Sequence, residues 1–362
     1  MKAAIFVAPG EALRLEEVES LPLGPTDVHV RVDATALCQT DVAVRRGDHS
    51  YGSPLLMGHE ASGTVLAVGS HVAGLKAGDT VISSSAPACG RCIQCASGRP
   101  HICVQSLHLR SVPRARRADG SVATGLFGLG TFAEEMVVDR ASLVAVDTDQ
   151  PPESLALIGC GVTTGLSTVL NRTQLSHGGS LAVIGCGTVG LAAILGAGLK
   201  GAATIVAIDP NPARRDDARR RGATLVLDPG AGDPAEAVRA ATGGLGVDAT
   251  IDAVAAPATV AQAQAITRRS GEIVIVGMPP ANATFELAAL PFFLSEQRLS
   301  SALFGSANIR RDFPAFVRLA ESGRLDLAGF VSRTLALGEV NAGLDALSRG
   351  EILRAVIRPG RR

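Results

Sequence analysis

The sequence is poor in aromatic residues. It has no tryptophan and one tyrosine, and Phe, Trp and Tyr together make up 3% of its 362 residues. Sequence-tolerant binding of single-stranded nucleic acid is built on stacked aromatic side chains, so that class is excluded by supply alone. Net charge is missing as well: 34 basic and 34 acidic residues balance to a formal +0, leaving no general field to attract nucleic acid or an anionic membrane surface. No apolar run reaches membrane-spanning length. The most apolar window, 189–208, is broken by Lys200-Gly201 and reads as helix, turn and strand. Near the start only Ala3 to Ala8 is apolar before Pro9-Gly10, so no secretory leader is expected. The expectation is a cytoplasmic protein without membrane or nucleic-acid partners, and there its seven cysteines are better read as metal ligands or free thiols than as disulfides. Internal repeats and low-complexity linkers are also lacking. What remains is a chain long enough for two domains, 46% hydrophobic and 19% charged, with 41 glycines: a globular α/β composition rich in tight turns.

The stretch from Leu181 to Asp209 organises this material. Leu181 to Ile184 is a short apolar run suited to a buried parallel strand. Gly185, Gly187 and Gly190 follow as G-x-G-x-x-G, with Thr188 and Val189 inside the motif. The first glycine permits the tight turn, the second lets backbone approach a pyrophosphate, and the third lets helix and strand pack closely. The N–H groups of the next helix then face the phosphates. A second strand, Thr204 to Ile208, ends at Asp209, 24 positions after Gly185 (209 − 185), near the spacing of about 20 expected for a ribose-binding acid. An ordinary glycine-rich βα turn would not need Asp209.

Elsewhere the periodicity changes. Asp27 to Ala34 alternates strictly and reads as a half-buried strand, and Ala61 to Val68 and Asp79 to Ser83 read as further strands. From about 162 to 303 strands alternate with helices, at 181–185, 204–208, 224–227, 248–252 and 272–277, which predicts a doubly wound parallel sheet inserted between two parts of a β-rich domain. A helix is expected over Phe313 to Ser322.

Cys89, Cys92, Cys95 and Cys103 place four thiols in fifteen residues, as C-x2-C-x2-C-x7-C. Four thiolates close a tetrahedron around Zn²⁺ and leave no open position, which is a structural site. An iron–sulfur cluster uses the same ligand count, and disulfides are the remaining reading. Cys38, His59 and Cys160 make a Cys₂His set of the kind that catalytic zinc uses with one open position, although each taken alone also reads as a buried small hydrophobe or a core histidine.

Cys38-x-Thr40-Asp41, Gly58-His59-Glu60, the four-cysteine lobe, the run Gly159 to Gly165, the Gly185 triplet with Asp209, and Gly277-Met278-Pro279-Pro280 together resemble the zinc-dependent medium-chain alcohol dehydrogenase family, across nearly the whole length. The resemblance implies an α/β protein with a GroES-like β-rich catalytic domain, 1–161 and 304–362, carrying the structural zinc lobe at 89–103, and a Rossmann NAD-binding domain at 162–303. It implies two zincs per subunit: a structural one on Cys89, Cys92, Cys95 and Cys103, and a catalytic one on Cys38, His59 and Cys160. Thr40 would accept the alcohol proton, with Asp41 and Glu60 supporting the ligands. Thr164 and Val189 would pack on the nicotinamide, Gly277 and Met278 would border the cofactor, and Arg354 would reach its pyrophosphate. Asp209 would favour NAD, because a carboxylate repels a 2′-phosphate; Arg214 and Arg215 stand nearby, either weakening that preference or lining the adenosine mouth. The expected chemistry is Lewis-acid activation of an alcohol with hydride passed to the nicotinamide.

Several positions depart from the family pattern. Ala43 replaces a histidine that passes the proton to solvent, and His49, in the polar turn Gly47 to Ser50, is the candidate replacement because imidazole suits general-base work near neutrality. Gln39 replaces a basic residue that contacts phosphate. Ser85 stands where a bulky aromatic is common, which widens the substrate range to aryl or branched alcohols. Arg110, Arg114, Arg116 and Arg117 form either a solvated loop or a rim for an anionic substrate. The leading expectation is an alcohol dehydrogenase acting on a small alcohol or aldehyde. The alternatives are a thiol-dependent formaldehyde dehydrogenase of the same fold and a non-catalytic NADH-binding zinc protein. A homodimer or homotetramer is expected, paired through the apolar region 287–304.

Overall fold

The alternation that begins at Asp27 becomes the strand Asp27–Ala36, with Val28, Val30 and Val32 buried on one face. Each such side chain contributes about 1.5–3 kcal/mol on full burial, so a one-residue slip would expose the whole set and the register is firmly specified. In this computed structural model, which describes residues 1–360, the strand pairs antiparallel with Ala61–Val68 on one side and with Glu135–Asp139 and Ala355–Ile357 along its other edge. Thr80–Ser83 and Leu143–Ala145 extend that sheet. A small closed barrel of Lys2–Phe6, Arg14–Ser20, Pro113–Arg117, Val122–Gly125 and Leu55–Leu56 belongs to the same unit. The unit comprises Met1–Cys160 and the segment from Asn308 onward; Gly161–Ala307 forms the other unit.

The second unit holds an all-parallel six-stranded sheet in the order Leu225–Leu227, Thr204–Ile208, Ser180–Ile184, Val247–Asp252, Thr267–Ile275, Arg298–Ser301. Numbered along the chain this is 3-2-1-4-5-6, the order of a dinucleotide-binding sheet, with its switch point between the first and fourth strands. Proline at the first helical turn, where no intrahelical N–H is needed, starts three of the crossover helices: Pro212–Arg220, Pro234–Ala241 and Pro257–Ile266. Asn211 and Asp233 cap the first two through their side chains, accepting from Ala213 and Ala235 N–H groups.

Two elements begin several residues earlier than the sequence pattern predicts. The fifth strand starts at Thr267 rather than 272, because Thr267 already pairs with Val247; the polar run Arg268 to Gly271 bulges out as an irregularity before the ladder resumes at Glu272 opposite Ala249. The helix expected from Phe313 starts at Ile309, because Asp312 Oδ2 accepts the Asn308 N–H at 2.9 Å and holds the first turn. Among the described residues no single helix is long and apolar enough to cross a membrane.

Candidate functional site

Cys38 is the N-cap of the helix Gln39–Arg46. Asp41, three residues on, returns its Oδ2 to the Cys38 N–H at 2.8 Å, while its Oδ1 lies 3.1 Å from His59 Nδ1. One buried carboxylate therefore caps the helix that carries Cys38 and fixes the ring of His59, leaving Nε2 to point the other way. Burial pushes the Asp41 carboxyl above its ordinary range, against the pull of His59. His59 follows Gly58, whose φ is +89°; a Cβ there would lie 2.4 Å from Phe132 Cδ1 and 2.6 Å from the Phe132 backbone nitrogen. Only glycine allows this turn to bring His59 and Glu60 inside.

Cys160 arrives at the end of the helix Pro152–Ile158 and the Gly159 turn. A Cβ on Gly159 would sit 3.0 Å from Ala156 O and Ser83 O and 3.3 Å from Glu60 Cα, so this glycine lets the turn close on Glu60. As a result, ligand atoms of Cys38, His59, Glu60 and Cys160 all lie within 4.8 Å of one another. A hydrogen bond from Cys160, aided by the charges of Arg354 and His59, holds the Cys38 thiol well below its ordinary range. His59 Nε2 is buried and makes no hydrogen bond; its nearest carboxylate oxygen, Glu60 Oε1, is 3.8 Å away. A buried, unsatisfied ring nitrogen converging with two thiols is costly unless a cation completes the set, so the donors fit zinc.

Arg354 is 2% exposed. Its Nη2 donates to both Glu60 oxygens, at 2.7 and 2.9 Å, and its Nη1 to Leu37 O at 2.5 Å. The sequence reading sent this guanidinium to the cofactor pyrophosphate, but here it is engaged by Glu60 and Leu37. Burial nevertheless pushes Glu60 up to about 8, against the opposing charge of Arg354. Thr40 Oγ1 lies 3.7 Å from Cys38 Sγ. His49 is partly buried just beyond the helix, next to Asp48, which pairs with Arg46. Gln39 donates to Leu347 O at 3.1 Å, and Ser85 is buried at 9% exposure.

The other four cysteines form a separate cluster with ligand atoms within 4.8 Å of one another. Cys92 Sγ is 3.5 Å from Cys95 Sγ and 3.8 Å from Cys103 Sγ. Backbone N–H groups of Cys95 and Val104 hold the Cys92 thiol down to about 6, as a thiolate ligand requires. Four sulfurs with no other donor in the group fit a closed structural zinc.

In the parallel-sheet unit the motif residues meet at the C-terminal ends of the strands, at the switch point. Gly185 N–H donates to Ile208 O at 2.9 Å and Gly277 N–H to Asp252 O at 3.1 Å. A Cβ on Gly190 would lie 1.9 Å from Gly185 O, whereas one on Gly187 would meet nothing within 4 Å. The helix Thr188–Leu199 thus starts against open space, the cradle a pyrophosphate needs. Thr188 and Thr164 are buried, Met278 is 44% exposed, and Val189 lies in the first turn of that helix. Asp209 is 3% exposed; its Oδ2 accepts from Cys186 N at 2.7 Å and its Oδ1 from Asn211 N at 2.8 Å, so it shapes the glycine loop. Arg214 Nη1 approaches it to 4.0 Å, and Arg215 turns to Asp228.

Sequence reasoning missed two residues beside the metal ligands. The Phe127 ring packs edge-on against His59, centroids 5.3 Å apart, and edge-on against Tyr51 at 5.2 Å. The signal was the glycine-flanked turn Gly125 to Gly130, which reads only as a loop without its long-range partner.

Comparison with known proteins gives matches over most of the chain. Residues 24–148 match the model of an alcohol dehydrogenase GroES-like domain, and residues 188–322 that of a zinc-binding dehydrogenase. The S-(hydroxymethyl)glutathione dehydrogenase of Escherichia coli O157:H7 is 35% identical over 367 aligned positions, covering 99% of each chain. Among solved structures, benzyl alcohol dehydrogenase from Acinetobacter calcoaceticus superposes with a TM-score of 0.92 at 28% identity, over 99% of this chain and 98% of that one. An alcohol dehydrogenase zinc-binding domain protein from Burkholderia ambifaria does so with a TM-score of 0.94 at 30% identity, with the same coverage.

Proposed function

The chain belongs to the zinc-dependent medium-chain alcohol dehydrogenase family and is an NAD-dependent zinc enzyme, and we propose that it interconverts primary or secondary alcohols, aryl alcohols among them, with their aldehydes or ketones. The observation that carries this reading is the buried, unpartnered His59 Nε2 among the Cys38 and Cys160 thiols. Zinc held by Cys38, His59 and Cys160 supplies Lewis-acid polarisation of the substrate oxygen. Asp41 keeps His59 in the tautomer that offers Nε2. We assign Thr40, whose Oγ1 lies 3.7 Å from Cys38 Sγ, the role of taking the hydroxyl proton, and His49 its passage to solvent. The Gly187 cradle and Asp209 hold the dinucleotide, with Asp209 favouring NAD over NADP.

A second reading, oxidation of S-(hydroxymethyl)glutathione, is favoured by the name of the E. coli relative. A panel of aliphatic and aryl alcohols, with formaldehyde tested in the presence and absence of glutathione, separates the two by NADH formation. NADH from formaldehyde only when glutathione is present supports the second; broad alcohol turnover supports the first; dinucleotide binding without any turnover refutes both. His49→Gln is expected to lower oxidation most on the acid side of neutrality, with partial rescue by added imidazole. We also assign pairing of subunits to the edge strand Arg298–Ser301 and the neighbouring helix Ala289–Ser295, which exposes Leu290, Phe293 and Leu294; a stable monomer by light scattering at micromolar concentration would exclude it.

A further inference from the structure

The fourth strand of the parallel sheet ends at Asp252, beside the switch point. Its carboxylate is fully buried, and among the described residues it forms no ion pair. Burying a carboxylate is costly unless donors surround it, and here every side-chain contact comes from the seven residues that follow. Oδ1 accepts the N–H groups of Val254 at 2.9 Å and Ala255 at 3.0 Å, and Oδ2 accepts the Thr259 hydroxyl at 2.8 Å. Thr259 Oγ1 in turn accepts the Ala256 N–H at 3.0 Å, at the start of the helix Pro257–Ile266. One side chain thus gathers the turn 253–256 around itself.

That turn is both strained and wedged. Ala255 has φ +60°, a left-handed backbone that a residue with a Cβ rarely adopts and keeps only where its surroundings enforce it. The bond from its N–H to Asp252 Oδ1 is part of that enforcement. The turn so shaped meets both glycine loops at the strand ends. A Cβ on Gly185 would lie 2.6 Å from Val254 Cγ2, and one on Gly277 would lie 2.7 Å from Val254 C and 2.9 Å from Ala253 O. The main chain ties in the same elements. The Asp252 carbonyl accepts the N–H groups of Val276 at 2.9 Å and Gly277 at 3.1 Å, and the Ala253 N–H donates to Ile184 O at 2.9 Å. The ends of the first, fourth and fifth strands therefore close on one acid, across the switch point from Asp209.

We propose that Asp252 is a positioning residue for the dinucleotide: by accepting from Val254 and Ala255 it holds the 253–256 turn in the one conformation that fits between Gly185 and Gly277, and so presets the loops against which the cofactor binds. Its role is that of an acceptor at a fixed place rather than of a charge. The carboxylate faces the turn's own N–H groups, and an amide oxygen there offers the same acceptor while the amide nitrogen donates to Thr259 Oγ1. Without any acceptor the turn leaves its strained conformation, and affinity for the dinucleotide falls in proportion to the fraction of molecules that keep the competent one.

The test measures the dissociation constant of NADH by its fluorescence, on zinc-loaded protein without substrate, together with the urea midpoint of each variant. Asp252→Ala should weaken NADH binding roughly tenfold or more, the population lost when a strained residue is released. Asp252→Asn, which keeps the acceptor, should stay within about threefold of wild type. Thr259→Val leaves both main-chain bonds to Oδ1 but frees the Ala256 N–H, and should weaken binding by roughly threefold. Thr250→Ala is the stability control. It breaks the buried hydroxyl pair with Thr267, 2.7 Å apart in the same sheet, and should lower the urea midpoint while NADH affinity stays that of wild type. The assignment is overturned if Asp252→Ala binds NADH as wild type does. It is overturned equally if Asp252→Asn loses as much as Asp252→Ala, since charge is then what counts, or if Thr250→Ala does, since the loss then follows general stability. Should Asp252→Ala not reach the native circular dichroism, the other two variants decide: a loss of roughly tenfold in Asp252→Asn, or none in Thr259→Val, overturns the assignment.

Discussion

Replacing Arg114 by Met tests whether this arginine is part of the scaffold or of a cationic rim. Arg114 lies on the barrel strand Pro113–Arg117 and meets Asp27 at the start of Asp27–Ala36, with side chains 5% and 12% exposed and 2.6 Å between Nη1 and Oδ1. At an effective dielectric constant of about 20, charges at that separation attract by roughly 6 kcal/mol, most of it offset by the desolvation of both groups. Arg114→Met removes the attraction but leaves the Asp27 carboxylate buried, with the Gly24 N–H at 2.9 Å as a remaining donor. The expected loss is roughly 3–5 kcal/mol. Adding Asp27→Asn removes the stranded charge and keeps an acceptor for Gly24, so the double variant should recover part of the loss, with a coupling energy of roughly 1–3 kcal/mol. Urea denaturation of the zinc-loaded protein at fixed free zinc, followed by circular dichroism, reads this directly. With an m value of about 3 kcal/mol/M, the midpoint of Arg114→Met should fall by roughly 1–1.7 M. A midpoint within about 0.2 M of wild type, or a double variant no more stable than the single, would refute the scaffold role and return Arg114 to the cationic rim.

Metal analysis of Cys95→Ser should show loss of one zinc together with much of the fold, because binding in a closed site is coupled to folding, whereas Cys160→Ser should lose the other zinc and turnover while circular dichroism stays near wild type. Asp41→Asn should weaken the catalytic zinc roughly 10- to 100-fold in competition with a chelator; unchanged affinity would mean that the 3.1 Å contact to His59 does not orient the ring. Asp209→Gly should raise KM for NAD and relax discrimination against NADP, and a wild-type preference for NADP would remove the role given to Asp209. Burial, with Asp209 beside it, pushes the Cys186 thiol up to about 12. It therefore carries almost no thiolate at pH 8.5, and mass spectrometry after iodoacetamide treatment should find it unmodified in the folded enzyme and modified in urea.

Whatever depends on short separations in the chain was legible from the residues alone. The four-cysteine lobe closes within fifteen positions, so its spacing already implies its geometry. The Gly185 turn, the strand after it and Asp209 belong to one βαβ unit, and alternation in Asp27–Ala36 sets which side chains go inside. The catalytic set was legible only as a resemblance. Cys38 and His59 are joined by Asp41, but Cys160 lies 122 positions beyond Cys38 (160 − 38) and is brought in by a glycine turn packed on Glu60. Arg354 and Glu60 pair across 294 positions, and nothing local in either sequence segment distinguishes that partner from a cofactor phosphate. The arginines after Cys103 read as one basic run; packing buries Arg114 on Asp27, anchors Arg117 on Glu16 and leaves Arg110 against Phe127. Charge is a local property of a sequence, but whether a charge is neutralised depends on what the core brings beside it. Hydrophobic burial is non-directional and acts between residues distant in the chain, so partners of that kind are decided only when the strands and turns have packed.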